Sequence, residues 1–113
     1  MNPDPFISRL RIAVQPPNLV LSGELDGVES ARLLQAVISV MHADPGCPIG
    51  VDATDVTFLD SGGLRALLIC RDHAADAGSG FAVVAAGPIV DQVLEITGLR
   101  DILGPPRAGA AAA

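Results

Sequence analysis

Four consecutive residues, Asp60-Ser61-Gly62-Gly63, place a carboxylate, a hydroxyl and two bare backbone units together. They stand where an apolar run, Val56-Thr57-Phe58-Leu59, gives way to a leucine-rich helical pattern. Residues of these types at a strand-to-helix junction admit four chemistries. Ser or Asp caps a helix by accepting from its first free amides. A serine nucleophile needs a positioned base, and the hydrolase elbow needs Gly-x-Ser-x-Gly. Here Leu59 stands where the first glycine belongs. His73 falls about 18 Å along a helix that starts at Ser61, and His42 belongs near the end of another helix. A phosphate-binding loop needs Gly-x-x-x-x-Gly-Lys, and the chain has no Lys. The fourth chemistry is phosphate acceptance. A hydroxyl at a helix start faces unpaired amides and the positive end of the helix dipole, and two glycines leave it open to an incoming kinase. Phosphorylation would add about −1.5 to −2 charge beside Asp60 and near Asp26. Composition and spacing alone leave capping and phosphate acceptance both standing.

The elements that must position this junction are legible in outline. Residues 7–14 alternate and read as a half-exposed strand. Pro16-Pro17-Asn18 makes a turn, and Leu19-Val20-Leu21 begins a second strand that reaches Glu24, so the two predict an antiparallel hairpin. Asp26-Gly27-Val28-Glu29 resembles a capping box opening a helix with Leu34, Val37, Ile38 and Met41 at helical spacing. Residues 49–53 form a short strand, and residues 56–59 lead to the junction. Leu64, Leu67 and Leu68 mark the inner side of the next helix, with Arg65, Arg71, Asp72 and Asp76 on its wet side. Residues 81–85 are almost wholly apolar, as in a strand covered on both faces. Pro88 opens a further helix with Val90, Val93 and Leu94 inward, and Leu99, Ile102 and Leu103 form a last short element. The order predicts an α/β domain: a mixed four- to five-stranded sheet with helices packed against it. The domain is expected to span 6–103, with loose termini at 1–5 and 104–113.

Composition narrows the partners. The chain has 113 residues, enough for one core. Half are hydrophobic, only 3% are aromatic and there is no Trp or Tyr, so the core is aliphatic. The net charge is −6 and all seven basic residues are Arg, which disfavours nucleic acid and suits a basic face on another protein. Residues 1–10 lack a secretory pattern, and the apolar stretch 81–90 is about half a membrane span, so a cytoplasmic protein without membrane insertion is expected. Cys47 and Cys70 with His42 and His73 lack zinc spacing. Asp52, Asp55 and Asp60 read as solvated loop acids rather than a metal site. No cofactor is expected.

Three segments carry a resemblance. Ser22-Gly23-Glu24-Leu25-Asp26, Val56-Thr57-Phe58-Leu59-Asp60-Ser61-Gly62-Gly63-Leu64 and Glu95-Ile96-Thr97-Gly98-Leu99-Arg100-Asp101-Ile102-Leu103 resemble, in order, motifs of the STAS domain of anti-sigma factor antagonists. The resemblance covers about residues 7–103. It implies a non-enzymatic partner switch. The unphosphorylated protein would bind an anti-sigma factor that is also a serine kinase, would be released on phosphorylation of Ser61, and would be restored by a serine phosphatase. The resemblance makes Ser61 the phosphoacceptor, and Asp26, Asp60, Gly62, Gly63, Leu64 and Arg65 the partner-binding residues of a monomer. Gly62 departs from the pattern, which usually has a hydroxyl or other small residue there. This departure implies a more mobile loop, and it supports an alternative: a non-switching STAS subunit of a lipid-transport ATPase or a sensory complex.

Overall fold

A computed structural model describes residues 9–104. Strand β1 (Leu10–Gln15) turns through Pro16-Pro17 into β2 (Asn18–Leu25), and the two pair antiparallel. A single 3-10 turn (Gly27–Glu29) leads into α1 (Ser30–Ala43). Then follow β3 (Ile49–Leu59), α2 (Ser61–Asp76), β4 (Phe81–Ala86), α3 (Pro88–Thr97) and the short α4 (Arg100–Leu103). The strands lie in chain order, β1-β2-β3-β4. β2 and β3 are parallel across α1, and β3 and β4 are parallel across α2. The expected mixed sheet is therefore present with four strands. The expected loose ends at 1–5 and 105–113, and the strand expected at Ile7 and Ser8, lie outside the described residues; Gly104 closes α4.

The core is one aliphatic cluster between one face of the sheet and the helices. Leu19, Leu21, Val51 and Val83 meet Leu33, Val37 and Val40 of α1, Ala66, Leu67, Cys70 and Ala74 of α2, Val90 and Leu94 of α3, and Leu103 of α4. The stripe on α1 is rotated by about one residue from the expected one. Leu34 and Met41 lie at its margin, because the capped 3-10 turn delays the helix start to Ser30. On α2 the small residues Gly63, Ala66 and Ala74 join Leu67 in the interior, while Leu64 and Leu68 are only partly buried. The two expected pieces around 49–53 and 56–59 are one eleven-residue strand. Its register shifts against β2 bracket Thr54 and Thr57, and these breaks in alternation disguise its continuity.

One expectation is overturned. β4 is not covered on both faces: it is an edge strand, and Val84 is 50% exposed. Its small residues, Ala82, Ala85 and Ala86, make a run that reads as buried because it holds no charge, not because both sides are packed.

Candidate functional site

Parallel pairing brings the site together. β2 and β3 run in the same direction, with Leu25 opposite Leu59, so the turns that follow them leave the sheet at the same end. After β2, the Asp26 backbone is extended and its Oδ1 accepts from the Val28 amide at 3.0 Å and the Glu29 amide at 3.3 Å. Asp26 is thus a cap, as expected, but of a 3-10 turn rather than of α1 itself. Glu29 is buried and pairs with Arg32 at 2.9 Å, and Arg32 donates to the Leu10 carbonyl at 2.9 Å. That chain of contacts ties the turn to β1.

After β3, Asp60 is the cap of α2: its Oδ1 accepts from the Gly63 amide at 2.8 Å. Ser61 is the first helical residue beside the cap, and it is exposed. Its hydroxyl has no hydrogen-bond partner among the described residues, so capping is done by the carboxylate and the hydroxyl is left over. The first amides of a helix have no partner within it. With Asp60 serving Gly63, those of Ser61 and Gly62 remain unclaimed by the cap.

The two glycines have different tasks. A Cβ on Gly63 would lie 2.1 Å from the Leu25 carbonyl oxygen, so only glycine lets α2 start this close to the end of β2. Gly63 is buried beneath the first turn of α2. A Cβ on Gly62 would lie 2.8 Å from the Gly27 Cα and 2.9 Å from the Gly27 nitrogen. The Asp26 turn therefore rests on the first turn of α2, backbone to backbone. This contact gives the departure at 62 a packing cause where loop freedom was the expectation. Of the other expected residues, Asp60 and Arg65 are exposed, and Asp26 and Leu64 are partly buried. Leu64 also packs against the core.

Two neighbours escaped the sequence reading. Gly27 contributes backbone only, which no motif of side chains reveals. Val28 is 86% exposed on the same turn. Its signal was a valine inside a capping sequence, at a position the helical pattern treats as outward. The site thus combines an apolar knob, two carboxylates and a free hydroxyl. No group of three or more His, Cys, Asp or Glu residues suited to a metal ion occurs among the described residues. His73 lies in the last turn of α2, at the opposite end of the helix from Ser61. No described helix is long and apolar enough to cross a membrane.

Comparison with known families agrees with this frame. The profile described as "Mlab, STAS domain" matches residues 8–104. The chain belongs to the STAS domain family. An anti-sigma factor antagonist from Mycobacterium paratuberculosis is 30% identical, with 91% of this chain and 90% of that one covered and a TM-score of 0.62. The anti-sigma factor antagonist SpoIIAA in its unphosphorylated form is 20% identical over 91% of this chain and 92% of its own, with a TM-score of 0.58. The Bacillus cell fate determinant SpoIIAA in its phosphorylated form is 19% identical over 91% of this chain and 96% of its own, with a TM-score of 0.54. At those identities the two SpoIIAA structures speak for the fold of this STAS domain, and the mycobacterial protein for its place among anti-sigma factor antagonists.

Proposed function

We propose that this STAS domain is an anti-sigma factor antagonist that switches partners through phosphorylation of Ser61. The observation that supports this reading most is the exposed Ser61 hydroxyl at the start of α2, spared from capping by Asp60. The unphosphorylated surface offers Val28, Leu64 and Arg65 to an anti-sigma factor that is also a serine kinase. In the transfer step, the Ser61 oxygen bonds to the γ-phosphorus of kinase-bound ATP as the bond to ADP breaks. The hydroxyl proton passes to a base of the kinase. The product carries a dianion beside Asp60 and the Asp26 turn, where a docked protein had met a neutral hydroxyl. The charge changes on a surface where the Asp26 turn already rests on the first turn of α2. Hydrolysis by a serine phosphatase restores the binding form. The domain itself performs no catalysis in this scheme and acts in the cytoplasm, where the kinase and ATP are.

The test is release from the cognate kinase. Wild type should dissociate on addition of ATP and gain one phosphate, read by intact-protein mass spectrometry. Ser61→Ala should stay bound with ATP present, and Ser61→Asp should bind poorly without it. Equal ATP-driven release of wild type and Ser61→Ala would refute the assignment. Co-purification from cells with membrane ATPase subunits, with Ser61 unmodified, would favour the non-switching alternative.

A further inference from the structure

The helices all contribute to the cluster on one face of the sheet. The opposite face presents Arg11, Ala13 and Gln15 from β1, Asn18, Val20 and Ser22 from β2, and Gly50, Asp52 and Asp55 from β3, by register with residues outside the core. The rows across this face are fixed by pairing: Arg11–Ser22–Asp55, Ala13–Val20–Asp52 and Gln15–Asn18–Gly50. Arg11 and Asp55 are exposed, and neither forms an ion pair or a side-chain hydrogen bond among the described residues. They stand in one row with a strand between them, about 10 Å apart by strand spacing.

We propose that this face is the contact surface of a two-fold homodimer, with the axis running nearly along β2 between two stacked sheets. Such an axis exchanges left and right across the face while keeping each row level. It therefore sets β1 of one copy over β3 of the other. Arg11 then meets Asp55 of the second copy, and Asp55 meets its Arg11, so both unpaired charges are neutralised twice over. Gln15 lies over Gly50, where the Asn18 side chain of the same row fills the space a Cβ would take, 2.5 Å from Asn18 Oδ1. Ala13, the smallest side chain of β1 on this face, lies over Asp52. Val20 meets Val20 at the axis. Stacked sheets sit about 10 Å apart with strands within about 30° of each other, which is within reach of an arginine side chain from one sheet to a carboxylate of the other. A second copy is the occupant because the unpaired Arg11 of each copy is brought over the unpaired Asp55 of the other by the same axis. The Ser61 turn lies at the end of the sheet rather than on this face, so the dimer would present two switch sites. The dimer is independent of how Ser61 is used.

Sedimentation equilibrium of the full chain tests this, with circular dichroism to confirm folding of each variant. Wild type should dimerise, more weakly as ionic strength rises. Arg11→Asp and Asp55→Arg should each weaken self-association at least about tenfold, because each sets like charges face to face twice. Mixed together, the two variants should form a heterodimer, since every facing pair in it is again opposite in sign. The double variant Arg11→Asp/Asp55→Arg should recover self-association. A wild type that stays monomeric up to millimolar concentration overturns the proposal. So does dimerisation indifferent to either substitution, which would point to the β4 edge or the N-terminal residues, and so does a mixture that fails to associate.

Discussion

Gly62→Ala separates two explanations of the same glycine by sign. If Gly62 is there for loop freedom, alanine stabilises the first turn of α2, by up to about 1 kcal/mol. If it is there because the Asp26 turn rests on it, alanine must push that turn away. The added methyl would start 2.8 Å from the Gly27 Cα and 2.9 Å from its nitrogen. Carbons in contact settle at about 3.5–4.0 Å, so the turn must retreat by about 1 Å. Forcing a methyl into a packed contact costs about 1–3 kcal/mol. Set against the helix preference, the net loss is about 1 kcal/mol. Urea unfolding should read this as a midpoint lower by about 0.5 M, given a slope of about 1–3 kcal/mol per molar. Gly27→Ala is the control. Its methyl would meet the Gly62 Cα at 3.5 Å, an ordinary contact, so the same chemistry on the facing backbone should change little. A Gly62→Ala protein with a higher midpoint than wild type would refute the packing account.

Three further outcomes follow from the described contacts. Asp60→Ala should lose the α2 cap and about 1 kcal/mol of stability, whereas Asp60→Asn keeps an acceptor for the Gly63 amide and should unfold near wild type in the same urea assay. Burial pushes the Cys70 thiol up to about 12, so the neutral thiol is favoured in the folded protein. That contribution is fully present below the unfolded thiol's range near pH 8.5 and is lost as pH rises towards about 12; thiol titration at pH 8 should find at most one reactive cysteine in native protein and two in urea. The Thr54 hydroxyl and amide, donating at 2.6 and 3.0 Å, hold the Asp52 carboxyl below the usual carboxylate range. This stability is present above the unfolded carboxylate's range and disappears as pH falls through the lowered folded value. Thr54→Val should therefore move acid unfolding, followed by circular dichroism, to higher pH, and an unmoved midpoint would dismiss the hydroxyl's part.

How much of this was legible depends on which atoms do the work. Asp26 and Asp60 act through side chains at fixed offsets from the amides they cap, and both stood out in the sequence. Gly27 acts through its backbone across 35 residues of chain, so its contact with Gly62 had no local trace. The α1 stripe differs from the expected one because Leu33-Leu34, Val37-Ile38 and Val40-Met41 offer two adjacent apolar columns, and only the turn ahead of the helix decides between them. On α2 the leucines carry the strongest apolar pattern, yet the close approach to the sheet belongs to Gly63, Ala66 and Ala74, whose smallness is a weak periodic signal. β4 departs from expectation for the converse reason: Ala and Val satisfy a shielded strand and a bare edge equally well. The parallel pairing that unites the two turns was implied by the element order, but the meeting of Gly27 with Gly62 was not.

Position within the ladder sets how the molecule breathes. β2 and β3 are bonded on both sides, whereas β1 and β4 each have one bonded neighbour. In deuterium exchange, amides of the outer strands should open first and those of the inner pair last. Both the Asp26 and Ser61 turns hang from that inner pair, so the surface offered to a visiting protein should hold its shape while the margins of the sheet fray.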